Sequence, residues 1–317
     1  MQNRMPFARV LSGYIPRTRK NDVLLPLRYM FSMHSVSAPV RIDLAGGWTD
    51  VGPYPHDIGG EVINFTIDKR VTVSRVSQNN SDDLEIKFDV PRGSGLGTSS
   101  AMNVAINAIN NPNLEPHYLA QKAFEDEIIS GNICGKQDHW ASAHGGFQHL
   151  LFIGDSVEIL PFEPMKSSLN WLRKHLIISY SGITRNSGKI QEMVWKKYAK
   201  GDENVINGLL KIRSATKMMA NGLQADRRDL IVKSLREVSS GVDEISSDIQ
   251  GPFKPVTNFL VENNKIVAWK ALGAGGGGCT ALLCAPYCRE DVISHINHNG
   301  WKLIDWNYDD SGIIIHK

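Results

Sequence analysis

The chain has 317 residues, 42% of them hydrophobic, and a formal net charge of only +2. Its length suits one large or two medium cores, no apolar run approaches a membrane span, and so even a charge balance makes no case for a nucleic-acid partner. Four cysteines, Cys134, Cys279, Cys284 and Cys288, form no CxxC pair, which reads as reduced thiols of a cytoplasmic protein and excludes a disulfide framework.

Residues 1–33 concentrate positive charge. Arg4, Arg9, Arg17, Arg19, Lys20 and Arg28 face Asp22 alone, so the remainder is mildly acidic. This basic leader is expected to lie outside the fold, as an upstream extension ahead of a start at Met33. A targeting segment is the less favoured reading, because no amphipathic repeat or cleavage signal accompanies the arginines.

A first domain is expected over 34–168. Residues 36–45, 62–75 and 83–89 read as strands, the last alternating cleanly with Leu84, Ile86 and Phe88 between polar neighbours. Helices are predicted at about 99–110 and 116–130, then two strands, 147–153 and 157–162, about a Gly154-Asp155 turn. A second domain is expected over 169–317. It opens on the buried strand Leu176–Tyr180 and continues through helical patterns at 187–199, 203–222 and 226–248, broken at Gly201 and Gly222. Pro252 and Pro255 open a further helix, an apolar strand covers Cys279–Ala285, and a helix at 288–298 precedes strands at 301–306 and 312–316. Strand-first halves of this kind suit an α+β layered fold.

One stretch carries more chemistry than the rest. In Gly93-Ser94-Gly95-Leu96-Gly97-Thr98-Ser99-Ser100 three glycines alternate ahead of hydroxyl residues and a small-residue helix. Glycine allows close backbone approach, and a helix N-terminus offers unpaired N–H groups and partial positive charge. The combination makes a phosphate cradle. It is not a Walker A loop, because no Lys-Ser/Thr pair follows the glycines. The plain alternative is a tight turn before a buried helix.

Two further stretches stand far off in sequence, Val40-Arg41-Ile42-Asp43-Leu44-Ala45-Gly46-Gly47-Trp48-Thr49-Asp50 and Gly273-Ala274-Gly275-Gly276-Gly277-Gly278. In order, the three resemble the motifs of the GHMP kinases, from about Ser37 to the C-terminus. The first two, with Gly135-Lys136-Gln137-Asp138, look most like the branch of L-fucose kinase and D-glycero-D-manno-heptose 7-phosphate kinase. The resemblance implies an N-terminal domain like ribosomal protein S5 domain 2, a ferredoxin-like C-terminal domain, and an active site between them. It implies ATP and Mg²⁺ as cofactors and a small-molecule sugar as substrate, with no nucleic acid or membrane partner and a monomer or homodimer as the working state.

Residue by residue, the resemblance implies that Gly93, Ser94, Gly95, Leu96, Gly97, Thr98, Ser99 and Ser100 hold the ATP phosphates. Ser100 matches a magnesium-binding position, and its hydroxyl is a suitably hard ligand. The second magnesium ligand is expected at Asp126, with Glu127 as rival; a solvated acidic helix face is the alternative. Asp138 matches the catalytic aspartate, which accepts or orients the acceptor hydroxyl's proton. Arg41 matches a position that aids transfer, by tuning that aspartate or by stabilising the transferred phosphoryl; a structural ion pair with Asp43 is its plain reading. Trp48, Thr49, Asp50 and Gly60, with Tyr180 and Arg185, are expected at the sugar. Trp48 equally suits a core position, and Arg185 a surface one. Gly273, Gly275, Gly276 and Gly277 are expected to line the cleft, with a flexible hairpin as the alternative. His139 departs from the glutamine usual in this branch, and with His144 it does not make a metal pair.

The implied activity is ATP-dependent phosphorylation of the anomeric C1 hydroxyl of a heptose, a heptose 7-phosphate or L-fucose. A galactokinase- or mevalonate-type kinase fits the Ala45–Asp50 motif less well, and a non-catalytic protein of the same fold would have lost Asp138 or the phosphate cradle.

Overall fold

The computed structural model describes residues 35–78, 81–184 and 187–316, all within the compact unit Met33–Lys317; the leader lies outside them. In chain order the elements are β1 (Ser35–Ala45), α1 (Tyr54–Asp57), β2 (Gly60–Gln78), β3 (Ser81–Phe88), α2 (Thr98–Asn110), α3 (Pro116–Ile129) and α4 (Gln137–His144). Then come β4 (Phe147–Ile153), β5 (Ser156–Leu160), α5 (Lys166–His175), β6 (Leu176–Tyr180), α6 (Ser187–Tyr198), α7 (Glu203–Gln224) and α8 (Arg228–Ile245). The chain finishes through α9 (Ser247–Gln250), α10 (Lys254–Glu262), β7 (Ile266–Ala271), β8 (Cys279–Cys284), α11 (Arg289–His298), β9 (Lys302–Ile304) and β10 (Ile314–His316).

Two antiparallel sheets result. The first runs β10-β1-β2-β4-β5, with β3 also on β2, and the second runs β7-β8-β6-β9. The α+β reading is thus realised. The last strand, β10, returns to the first sheet and pairs Ser35 with His316 along β1. Just before it, Asp309 pairs with Arg70 of β2, and Trp306 is buried against Phe65.

β1 shows how strand periodicity builds the site. Side chains alternate faces along a strand. Val36, Ala38, Val40, Ile42 and Leu44 enter the main hydrophobic core, which leaves Arg41 and Asp43 together on the other face, both still buried. α7 and α8 cross tightly because glycine lets their backbones meet: a Cβ on Gly208 would lie 2.6 Å from the Gly241 carbonyl oxygen.

Besides the four-residue helices α1 and α9, three elements escape the sequence reading. α4 is eight residues between Gly135-Lys136 and Gly145-Gly146, too short to show a helical period. α5 follows directly into β6 without a break residue. β7 is the edge strand of the second sheet and is buried along nearly its whole length, so no polar alternation marks it.

Candidate active site

Arg41 organises the centre. Its side chain is 3% exposed and its Nε donates to Asp138 Oδ1 at 2.7 Å. Nη1 donates to the Gly95 carbonyl at 2.7 Å, and the Arg41 backbone N–H donates to the Leu96 carbonyl at 3.0 Å. A buried guanidinium requires an anion and several acceptors, and here it finds both. The ion pair with Asp43, the plain alternative reading of Arg41, does not form. Asp43 pairs with Lys270 of β7, whose Nζ donates to Asp43 Oδ2 at 2.6 Å and to its carbonyl at 2.9 Å. Burial pushes the Lys270 ammonium below its ordinary pKa, with Asp43 opposing the shift.

The glycine loop adopts the geometry a cradle needs. Gly93, Gly95 and Gly97 all have φ in the left-handed region, at 72°, 83° and 79°. Gly97 caps α2 without a side-chain hydrogen bond, and no acidic residue occupies the first turn. The helix's leading N–H groups are therefore free to receive an anion. Behind the loop the Cys279 N–H donates to the Ser94 carbonyl at 2.7 Å. A Cβ on Gly278 would lie 2.6 Å from that carbonyl oxygen, so the four-glycine run supports the cradle from beneath.

A cavity of about 300 Å³ opens over these groups. Gly93, Gly95, Gly97, Thr98, Ser99 and Ser100 line it together with Arg41, Trp48, Asp50, Glu127, Asp138 and Gly273. Ser94 and Leu96 are fully buried beneath it. Gly275, Gly276 and Gly277 do not line it; Cβ atoms there would strike Ile249, Ile190 and Ile183, so their place is in packing.

Of the two acidic candidates, Asp126, the favoured one, does not line the cavity. Its carboxylate is half-exposed, accepts from Asn107 Nδ2 at 2.9 Å and stands 3.9 Å from Lys122. One residue along a helix turns the side chain by about 100°, and Glu127 is the one that faces the cavity. Ser99 Oγ donates to Glu127 Oε1 at 2.9 Å, and Ser100 Oγ and Asn103 Nδ2 each reach Oε2 at 3.2 Å. His139 Nε2 lies 2.9 Å from the same Oε2. Burial pushes Glu127 upward, but the His139, Ser99 and Asn103 contacts outweigh it and hold the carboxyl below its ordinary value. Ser99 and Ser100 thus spend their hydroxyls on Glu127, not on helix capping. Hard hydroxyl and carboxylate oxygens beside an anion cradle fit Mg²⁺.

Asp50 lies across the cavity. It accepts from the Gln137 backbone N–H at 3.1 Å and from Gln137 Nε2 at 3.2 Å, so it closes the N-terminus of α4, the helix that carries Asp138. Burial, reinforced by the charge of Asp138, pushes Asp50 up to about 7 against the pull of the Gln137 N–H. Trp48 adopts a left-handed φ of 84° and packs 6.5 Å from Trp195 while lining the cavity. A bulky residue held there marks a strained, positioned site.

Thr49, Gly60 and Tyr180 fall outside the cavity. Thr49 Oγ1 donates to the Gly46 carbonyl at 2.7 Å and accepts from the Glu61 N–H at 3.0 Å. A Cβ on Gly60 would lie 2.0 Å from the Thr49 carbonyl oxygen, so this glycine exists to let β2 pass the turn. Tyr180 packs on the main core. Arg185 lies outside the described residues. Sequence reasoning missed Lys270, Gln137 and Cys134, the last of which also lines the cavity. Burial and the charges of Glu127, Asp138 and Asp50 push its thiol well up. A lysine inside an apolar strand, Val-Ala-Trp-Lys-Ala, was the signal available for Lys270.

Residues 66–146 match the GHMP kinases N terminal domain. The chain is 25% identical to the D-glycero-alpha-D-manno-heptose 7-phosphate kinase of Campylobacter jejuni, over 87% of this chain and 96% of that one. It is 22% identical to the bifunctional fucokinase/GDP-fucose pyrophosphorylase of Arabidopsis thaliana, over 86% of this chain but 32% of that protein. Among solved structures, a D-glycero-D-manno-heptose 1-phosphate kinase from Bacteroides thetaiotaomicron superposes with a TM-score of 0.71 and 20% identity, covering 89% of this chain and 98% of that one.

Proposed function

We propose that this chain, an ATP-dependent phosphotransferase with the GHMP kinase N-terminal domain and fold, is a sugar kinase acting on the anomeric C1 hydroxyl of a heptose, a heptose 7-phosphate or L-fucose. The sugar-kinase reading draws support from the heptose kinase and fucokinase relatives. The observation that carries the mechanism is Arg41, bonded at once to Asp138 and to the phosphate loop.

In this reading the backbone N–H groups of Gly95, Gly97, Thr98 and Ser99 hold the ATP phosphates at the N-terminus of α2. Ser100 and Glu127 would hold Mg²⁺, which neutralises phosphate charge. Asp138 accepts the proton of the attacking hydroxyl, and Arg41 fixes its rotamer and keeps it next to the loop. Asp50 accepts from two neighbouring ring hydroxyls and sets the sugar's rotation. The anomeric hydroxyl is the most acidic on a sugar, so a carboxylate base suits it.

The deciding experiment measures ADP release with ATP and Mg²⁺ against heptose 7-phosphate, heptose, L-fucose, galactose and mevalonate, with phosphorus NMR of the product. Coupling of phosphorus to the anomeric proton is expected. A product phosphorylated on a primary hydroxyl, or turnover confined to mevalonate, would overturn the sugar 1-kinase reading.

A further inference from the structure

Glu127, Cys134 and His139 each present a ligand atom, and all three atoms lie within 4.8 Å of one another. Glu127 comes from α3, His139 from α4, and Cys134 from the segment joining them, so the backbone of one helical hairpin brings the set together. Glu127 and His139 are buried; Cys134 is half-buried at the cavity. The set is chemically mixed: one imidazole, one thiol and one carboxylate.

We propose that Glu127, Cys134 and His139 form a binding site for a zinc-class divalent cation, with its remaining coordination position open to the cavity. Three protein ligands plus one open position is the pattern of accessible zinc sites. From ordinary zinc bond lengths, neighbouring ligand atoms in a tetrahedral site sit about 3.3–3.6 Å apart. The present spacings bracket that distance. The Glu127–His139 contact of 2.9 Å opens slightly, and the thiol closes by up to about 1.5 Å.

Donor softness decides which cation. Magnesium gains nothing from imidazole or thiolate, whereas zinc and cobalt(II) favour both. On binding, the Cys134 thiol gives its proton to solvent and its sulfur bonds the metal. The carboxylates that disfavour a bare thiolate there favour a cation in its place. His139 binds through Nε2 and carries its ring proton on Nδ1. That nitrogen has no hydrogen-bond partner, so one unpartnered ring nitrogen exists with or without metal, and the switch adds no new orphan.

Ser100 and His139 share Glu127 Oε2, so a zinc-class ion bound to that oxygen displaces the Ser100 contact and opposes magnesium at the cradle. This consequence for turnover rests on the kinase reading; the binding does not.

The test uses the full chain without nucleotide or magnesium. Cobalt(II), as a coloured stand-in for zinc, is titrated while near-ultraviolet thiolate-to-metal charge transfer is followed. The expected result is a band saturating at one equivalent, abolished in Cys134→Ser, kept in Cys288→Ser, and displaced by one equivalent of zinc. His139→Gln is expected to weaken zinc, measured by chelator competition, by roughly tenfold or more. Absence of the band, or its survival in Cys134→Ser, overturns the proposal. Circular dichroism checks each variant's fold, and should His139→Gln not fold, the near-isosteric Cys134→Ser decides. With an acceptor in hand, zinc is expected to inhibit the wild type at a concentration at least about tenfold lower than for Cys134→Ser. A charge-transfer band in a protein inactive on every acceptor would leave the metal site standing and remove only the kinase reading.

Discussion

Arg41 donates to Asp138 Oδ1 and to the Gly95 carbonyl at the same distance, 2.7 Å. One planar guanidinium therefore couples the position of the proton acceptor to the position of the phosphate cradle. A Cβ on Gly97 would lie 3.2 Å from Asp138 Oδ2, so the aspartate and the loop already stand at contact distance.

Asp138→Asn is expected to keep nucleotide binding and to lower kcat by about 10²–10⁴-fold, the usual worth of general acid–base catalysis. Arg41→Lys keeps the charge but cannot span both acceptors with a fixed fork, so kcat should fall while ATP affinity also weakens. Steady-state kinetics with calorimetric ATP binding separate the two effects. Near-wild-type kcat in Asp138→Asn would remove it from the mechanism.

Glu127→Ala should raise the magnesium concentration required for activity, because it removes the carboxylate nearest Ser99 and Ser100. Asp126→Ala should leave that requirement close to wild type, since Asp126 faces Asn107 and Lys122. Magnesium titrations of initial rate check both, and the reverse outcome would restore Asp126.

Asp50 provides the pH signature. With its folded pKa raised to about 7, Asp50 is protonated below that value and cannot accept from two sugar hydroxyls. KM for the sugar should rise as pH falls from 8 to 6. Stability runs the other way: a carboxyl whose folded pKa is raised favours the folded state at low pH, and that contribution is lost as pH climbs through about 7. Asp50→Asn should therefore gain thermal stability over wild type progressively between about pH 4 and pH 7, by up to roughly 4 kcal/mol, and keep that gain above pH 7. Melting curves across that range, with wild type alongside, decide it.

Lys270→Met leaves the buried Asp43 carboxylate without its cation. Breaking one partner of a buried pair costs about 3–5 kcal/mol, and chemical denaturation should register a loss of that size. Asp43→Asn combined with Lys270→Met should recover part of it, since no uncompensated charge remains. Additive losses in the double variant would show that the two residues act independently.

The sequence made the chemistry more legible than the architecture around it. The glycines of the cradle announced themselves because their alternation has no use in a plain helix cap, and β8 because its apolar content is nearly continuous. Asp126 against Glu127 could not be decided, since the phase of α3 depends on what it packs against and Glu125, Asp126 and Glu127 form an unbroken acidic run. Thr49 and Gly60 looked like sugar contacts from their place beside Asp50, yet a threonine hydroxyl satisfies backbone groups as readily as a ligand. Lys270 was hidden because its partner, Asp43, lies more than two hundred residues away. Long-range pairing leaves no local trace.

The return of β10 to β1 has a bearing on how the molecule is made. Until residues 306–316 leave the ribosome, β1 keeps an open edge and Phe65 lacks the cover of Trp306. The first half can collapse during synthesis, but it cannot finish. A nascent chain stalled anywhere before Trp306 presents an unpaired strand beside an incomplete core, the combination that chaperones bind and that aggregates grow from.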